Sequence, residues 1–336
     1  MEKIDVVVPV YGAVPYVVRC LESLERHLSE HLGRIIVYDD ASPMEEFREL
    51  ERLIPGRAVL HRSPVNRGFG QTVNAAMELA ESGLVLVLNS DVEACDDFLA
   101  PLLEAMRDDR LLAVNPVFEK SDRFRFYDHS RGYVPSYMLR GYAFLTRRRA
   151  FLDIGGFDPV FGRGYFEDYD LARRLCREGG ITGVVPASVL PHHGTKSFPS
   201  EEARRLQERN RRIYEERYPD AQRRVLLVKN VPYAALDDGV RSACERLCRA
   251  GGRVAVVGHG IGERLPNTRL IPVRHGWIGM MLYVNRNILR SHRRSRGITE
   301  IWFAEGGRAT RAWFRRLAER HGLTFREPEE LGAGER

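Results

Sequence analysis

The sequence has 336 residues, 43% hydrophobic and 29% charged, which excludes a disordered chain and allows one large domain or a domain with a smaller companion. No apolar run approaches the ~18 residues of a membrane span, and the opening "MEKIDVVVPVYG" enters a strand pattern with no secretory leader. The net charge of +6 hides an asymmetry, because residues 1–220 carry −5 and residues 221–336 carry +11. A basic section suits a nucleic acid, an anionic membrane surface or a phosphorylated substrate, or is a solvated arginine-rich face. The five cysteines lack metal-type spacing. Cys244 and Cys248, four apart on a predicted helix, read as packing residues, and a reducing cytoplasm is the expected location.

Residues 3–12 form a short β-branched run closing on Pro9 and Gly12, the pattern of a buried strand. Residues 14–31 place Val17, Val18, Leu21, Leu24 and Leu28 on one helical stripe. A second strand, "GRIIVYDDAS", ends in Asp39 and Asp40, and residues 44–54 are helical. "RAVLHRS" is a third strand, "NRGFGQTVNAAMELAES" a Gly-rich turn feeding a helix, and "GLVLVLNSDV" a fourth strand. Strands alternating with helices predict a mostly parallel sheet with helices on both faces. Ligands bind beyond the carboxyl ends of such strands. That rule gathers Tyr11, Asp39, Asp40, Asn66, Gly68, Asn89, Ser90 and Asp91 on one edge.

The middle is less regular. "RFRFYDHSRGYVPS" is a ribbon or a loop. Residues 141–180 read as a strand, a short helix, a Gly-Gly turn, an aromatic loop and a helix beginning near Asp168. "ITGVVPASVL" is a strand followed by a His-His loop, and residues 200–218 form a charged helix stopped before Pro219. The domain boundary is placed at residues 219–224, giving domains 1–220 and 225–336. The second is read as a small basic α/β unit with three buried strands and helices over 239–250 and 309–322.

Three groups could carry chemistry. Asp91, at a strand end, could hold a divalent cation that neutralises a diphosphate. Asp39 or Asp40 could accept hydrogen bonds from a base. Each acid also suits helix capping or a turn, and Asp96 and Asp97 read as the start of the next helix. Glu167, Asp168 and Asp170 stand together after a Gly-rich loop; like charges and burial raise carboxyl pKa values, so one could be a general base, or they could cap the helix. His192 and His193, in a loop after a strand, could be metal ligands or polar loop residues.

The motifs in combination resemble family-2 glycosyltransferases with the GT-A nucleotide-diphospho-sugar fold, over about residues 4–215. The resemblance rests on "VVVPVYG", on "IVYDDAS" with Ala41 where the family commonly has Gly, and on "NRGFGQTVNAAM". It rests also on "LVLNSDV", with Asn89 in the first acidic place of the Asp-x-Asp element, and on "GGFDPVFGRGYFEDYDLARRL". The Asn89 pattern is most similar to the rhamnosyltransferase-like branch. The resemblance implies an inverting transfer of a sugar from a nucleoside diphosphate to an acceptor hydroxyl, on a glycan, a lipid-linked sugar or a small molecule, in polysaccharide, glycolipid or glycoconjugate synthesis. It implies that Asp39 contacts the base with Tyr11 stacking near it, and that Asp40 supports the same loop. Pro9, Asn66, Gly68, Asn89 and Ser90 belong to the nucleotide-sugar site, and Arg67 approaches the diphosphate. Asp91 holds Mg²⁺ or Mn²⁺, His192 or its neighbour His193 adds a ligand, and Asp168 is the base with Glu167 as the alternative. Asn89 removes one carboxylate, which leaves Asp91 a larger share and keeps a metal-independent variant open.

In the C-terminal unit "VAVVGHGIGERLPN" spaces its glycines G-x-G-x-G and meets Pro266 soon after, which argues against a dinucleotide site. The unit is similar at fold level to Rossmann-like half-domains. Its "NILRSHRRSRG" run is a docking patch for the inner face of an anionic membrane or a lipid-phosphate acceptor, or a solvated face. Two further functions fit the pattern less well. A nucleotidyltransferase wants a basic Gly-rich loop after the first strand, where this chain has no basic residue before Arg19. A non-catalytic nucleotide or nucleic-acid binder leaves the ordered acids unexplained and lacks a recognised module, so nucleic acid is not the expected partner.

Overall fold

A computed structural model describes residues 3–118, 131–177, 179–191, 200–229, 231, 235–258, 268–272, 284 and 297–332. Two compact units are present, one reaching Tyr214 and the other starting at Glu215.

The first unit starts with four strand–helix alternations: β1 Ile4–Val10, α1 Val14–Leu28, β2 Leu32–Asp39, α2 Met44–Leu53, β3 Ala58–Arg62, α3 Phe69–Leu79, β4 Leu84–Leu88 and α4 Leu99–Ala105. Strands β5 Leu111–Val117, β6 Val134–Pro135, β7 Ala143–Arg147 and β8 Ile181–Val189 complete an eight-stranded sheet in the order β3-β2-β1-β4-β7-β5-β8-β6. Helices α5 Arg148–Asp153, α6 Glu167–Leu175 and α7 Ser200–Arg217 follow their strands in the chain. This is the mixed, mostly parallel sheet with flanking helices that the sequence implies. Which strands run antiparallel has no local signature in the sequence: β7 runs against β4 and β5, and β6 against β8. The reversal of β7 has a consequence for the site, because the amino end of β7 lies at the edge where β1, β2 and β4 end. Asn89 N–H donates to Tyr142 O at 2.8 Å across that edge.

The inner strands β1, β4, β5 and β7 are buried because they are apolar on both faces, whereas the edge strand β3 is partly exposed. Val7, Val85, Val87, Phe144, Phe151, Phe157 and Leu171 form one cluster under α3, α5 and α6. Phe157 meets Phe69, Phe151 and Phe144 edge-on at 5.5, 5.6 and 6.2 Å. Its backbone is clamped by Asn74, which donates to Phe157 O and accepts from Phe157 N, both at 2.8 Å. Asp97 caps the start of α4 by accepting from Leu99 N and Ala100 N, as the sequence suggests.

The second unit is a five-stranded parallel sheet in the order β11-β10-β9-β12-β13, with β9 Arg224–Lys229, β10 Arg253–Gly258, β11 Thr268–Pro272, β12 Glu300–Phe303 and β13 Thr324–Arg326. The sequence indicates β9, β10 and β12 but not β11 or β13, which are short and flanked by polar residues. Helix α8 Asp238–Arg249 buries Cys244 and Cys248 as packing residues. The 287–296 basic run and residues 259–266 lie outside the described residues.

Asp170 and Arg174 anchor α6. Asp170 is fully buried, and Arg174 binds it at 2.7 Å while donating to Ile154 O and Gly156 O at 2.8 and 2.6 Å. Removing one partner of a buried pair leaves the other uncompensated. Asp170→Ala is therefore expected to lower stability by about 3 kcal/mol, read from the denaturant midpoint; an unchanged midpoint would contradict the anchoring role.

Candidate functional site

Five chain segments converge beyond the carboxyl ends of β1, β2 and β4 to form a cleft of ≈ 230 Å³. Its walls include Pro9, Tyr11, Asp40, Asn66, Gly68, Phe69, Asn89, Ser90, Asp91 and Arg163. The sequence brings most of these together because parallel strands deliver their ends to one edge.

The base of the cleft is built by main-chain turns. Gly12 (φ 63°) and Ala41 (φ 61°) both occupy the left-handed region. Ala41 therefore carries a conformation that costs an L-residue roughly 1–2 kcal/mol, which accounts for the glycine common at this place in the resembled family. Ser42 spans the turn: its Oγ accepts from Gly12 N at 2.7 Å and its hydroxyl donates to Asp39.

Asp39 and Asp40 separate here. Asp39 has no exposed surface; its carboxylate accepts from Ser42 and from Arg62 Nη1 at 2.6 Å. Asp40 lines the cleft and accepts from Arg67 N and Gly68 N, both at 2.8 Å. The sequence assigns the base to Asp39 and the loop to Asp40. In the structure Asp39 is enclosed, and Asp40 both supports the loop and faces the cleft. Tyr11 stands half exposed at the rim, with 51% of its surface free, where a planar base could stack. Arg67 reaches the site through its main-chain N–H, and its exposed side chain is not part of the lining.

Asn89, Ser90 and Asp91 form the opposite wall, with Asp91 nearly buried at 8% exposure. These are hard oxygen donors of the kind Mg²⁺ and Mn²⁺ accept. Among the described residues no group of three or more His, Cys, Asp or Glu side chains is placed to hold a metal. His192 and His193 lie outside the described residues. Cys20, beneath this wall, has its thiol pushed up to about 12 by burial and by Asp91 and Glu93, so it stays protonated.

The carboxylate pair adjoins the cleft. Gly141 separates Phe69, a cleft residue, from Asp168: a Cβ on Gly141 would stand 3.5 Å from Phe69 Cε1 and 3.8 Å from Asp168 Cβ. Asp168 Oδ2 accepts from Gly141 N at 3.2 Å and its Oδ1 from Tyr169 N at 2.9 Å. Asn115 fixes that segment by donating to Arg140 O and Ala143 O at 3.0 and 2.5 Å and accepting from Arg140 N. Burial raises the Asp168 pKa against the opposing pull of the Gly141 and Tyr169 N–H groups and Arg140. Glu167 is raised to about 8 by burial and by the neighbouring Asp168 charge, and its Oε2 is sealed with no hydrogen-bond partner. Glu167 thus favours its protonated form at neutral pH, and Asp168 is the carboxyl of the pair with N–H groups, from Gly141 and Tyr169, placed to receive a negative charge.

Arg163, which the sequence reading missed, enters the cleft from the loop that precedes Glu167. Its Nη1 donates to Glu202 Oε1 on α7 at 2.9 Å. A signal was present: a single arginine between two glycines, just before the acidic motif.

Residues 5–170 match the family model "Glycosyl transferase family 2". A stretch of 222 residues is 26% identical to the human "Probable polypeptide N-acetylgalactosaminyltransferase 8", covering 54% of this chain and 34% of that protein. A shorter stretch of 76 residues is 36% identical to the "N-acetylglucosaminyl-diphospho-decaprenol L-rhamnosyltransferase" of Mycobacterium tuberculosis, covering 23% of this chain and 24% of that protein. The chain thus spans about a third or less of the length of these curated relatives. A solved structure of GalNAc-T7 with UDP, GalNAc and Mn²⁺ shares the fold at TM-score 0.51 and 17% identity, over 66% of this chain and 52% of that one.

The buried Glu167 makes stability depend on pH. The folded chain binds this proton up to about 8, the unfolded chain only to about 4.5, so the advantage is full below the lower value and lost as pH rises through the upper one. Glu167→Gln is expected to melt several degrees above wild type near about pH 9 and level with it near about pH 4. A difference that does not change with pH would refute the buried, proton-holding state.

Proposed function

Because the chain belongs to glycosyl transferase family 2 through residues 5–170, we propose that it moves a sugar from a nucleoside-diphosphate sugar to an acceptor hydroxyl, with inversion at the anomeric carbon. The observation that carries this reading is the adjacency of two unlike features. A cleft with a stacking rim and an oxygen-donor wall meets, across Gly141, a carboxylate pair with raised pKa values.

In this reading the base stacks on Tyr11 near Asp40, and the Asn66–Gly68 turn and Pro9 shape the pocket around the ribose and diphosphate. Asp91 would hold Mg²⁺ or Mn²⁺ with oxygen help from Asn89 and Ser90, and His192 or His193 would add a nitrogen ligand. When bound, such an ion neutralises charge on the diphosphate. Arg163 brings a guanidinium to the same cleft, where it would donate to diphosphate oxygens.

Asp168 takes the proton from the acceptor hydroxyl as the freed oxygen pair attacks the anomeric carbon. The bond to the diphosphate oxygen breaks on the opposite face, and the nucleoside diphosphate leaves with that electron pair. Desolvation suits Asp168 to this work, because a raised pKa strengthens it as a base. Gly141 N–H and Tyr169 N–H orient it. Glu167, protonated, avoids a second buried negative charge. Glycans, lipid-linked sugars and small hydroxyl compounds are the acceptor classes, and the basic second unit is a docking surface for an anionic membrane or lipid phosphate. Among the described residues no helix is long and apolar enough to cross a membrane.

The test is a calorimetric titration of wild type, Asp91→Ala and Asp168→Asn with nucleoside diphosphates and nucleotide sugars, with and without Mn²⁺, run beside a transfer assay. Asp168→Asn is expected to bind donor like wild type and to lose transfer by at least about a hundred-fold. Asp91→Ala is expected to lose the Mn²⁺-dependent part of the affinity. Wild-type turnover in Asp168→Asn would remove the base assignment, and binding of no nucleotide by wild type would remove the donor site.

A further inference from the structure

The segment before Glu167 has an improbable backbone. Gly162, Gly164, Tyr165 and Phe166 all have positive φ, at 62°, 149°, 70° and 71°. Two of these are bulky residues with no intrinsic preference for that region. A loop of this shape persists only when its surroundings over-determine it. On one side stands Gly68, whose missing Cβ would lie 2.5 Å from Arg163 Cα and 3.0 Å from Gly162 O. On the other stands α7, which lies wholly beyond the matched family segment 5–170.

Asn210 is the buried polar residue of α7, with no exposed surface. Its Nδ2 donates to Phe161 O and Gly164 O, both at 2.6 Å, and to Tyr165 O at 3.1 Å. Its Oδ1 accepts from Arg209 Nη1 at 2.7 Å, and Arg209 Nη2 reaches Val160 O at 3.1 Å. One turn later Tyr214 packs on Phe166 and Tyr169 at 5.5 and 6.1 Å. These rings flank the carboxylate pair in sequence, and Phe166 O receives the Asp170 N–H that starts α6.

We propose that Asn210 is a positioning residue for the Glu167–Asp168 pair. By gathering three carbonyls of the 161–165 loop it holds the strained backbone that aims the two carboxyls and keeps Glu167 out of water. Asn210 touches neither donor nor acceptor. The proposal rests on the glycosyltransferase reading for its effect on turnover, but not for its effect on the carboxyl groups.

The experiment compares wild type with Asn210→Ala and the milder Asn210→Ser, which keeps one hydroxyl donor and serves if the alanine variant fails to fold. Three quantities are read: steady-state transfer against donor concentration, calorimetric affinity for a nucleoside diphosphate, and the Glu167 titration by carbon-13 carboxyl NMR, with Glu167→Gln identifying the signal. The expected result is a kcat lower by roughly ten- to a hundred-fold with KM for donor and diphosphate affinity unchanged. The Glu167 titration moves down from about 8 toward ordinary glutamate as the loop opens to water. The acid limb of the pH–rate profile, set by Asp168, moves to lower pH as well, because the same opening relieves the burial that raises the Asp168 pKa. A folded variant with wild-type kcat and wild-type titration overturns the proposal. So does an equal fall in kcat and diphosphate affinity, which marks general loss of structure. If wild type turns over no nucleotide sugar while the titration still moves in the variants, the transferase reading fails and the brace stands.

Discussion

A missing methyl group joins the two halves of the site. At Gly68 the chain turns with φ 84°, and any Cβ there would stand 2.5 Å from Arg163 Cα. Because Gly68 has none, the loop that precedes Glu167 closes against the turn at Gly68 that lines the cleft. The same glycine gives its N–H to Asp40, which ties the end of β2 to the start of α3. Move Gly68 and three things move together: the cleft wall, Arg163 and the approach to the carboxylate pair. The architecture around it is arranged to keep that contact. Asn74 and Phe157 fix the floor below the loop, Asn115 fixes the Arg140–Ala143 turn beside it, and Asn210 fixes it from outside. Three asparagines clamp main chain at three points because a neutral amide both donates and accepts without the desolvation cost of a charge.

The electrostatics of the site follow from this closeness. Two carboxyls at adjacent positions cannot both ionise cheaply in a dry place. The protein resolves the conflict by geometry, giving Asp168 two N–H donors and leaving Glu167 Oε2 with none. The cleft a short distance away, proposed to take a nucleoside diphosphate, presents Asp40 and Asp91 on its wall. Among the described residues that line it, Arg163 is the cationic one. With Asn89 in the first place of the Asn89–Asp91 element, the wall carries one carboxylate there, and in the proposed reaction Arg163 would share the charge of the diphosphate with a bound metal.

Much of this was legible in the sequence because local rules governed it. The strand ends of β1, β2 and β4 end in polar residues, and parallel topology is enough to place them on one edge. The raised carboxyl pair was legible because its members are neighbours in sequence. What escaped were contacts set by distant partners. Which of Asp39 and Asp40 faces the cleft depends on Arg62, reaching Asp39 from another strand. The antiparallel course of β7, which brings Gly141 to Asp168, has no local signature. Arg163 and Asn210 matter only through loop closure, over the 95 residues from Gly68 to Arg163 and the 46 from Gly164 to Asn210.

In the proposed reaction the carboxylate pair acts as a base on an acceptor oxygen while the diphosphate leaves from the opposite face of the anomeric carbon, with no covalent sugar on the protein. The most direct measurement is proton NMR of the first-formed product from an α-linked nucleotide sugar, read at its anomeric signal before any equilibration. A β-linked product is the predicted result. An α-linked product, or a sugar trapped covalently on the chain and detected by mass spectrometry, would contradict the account.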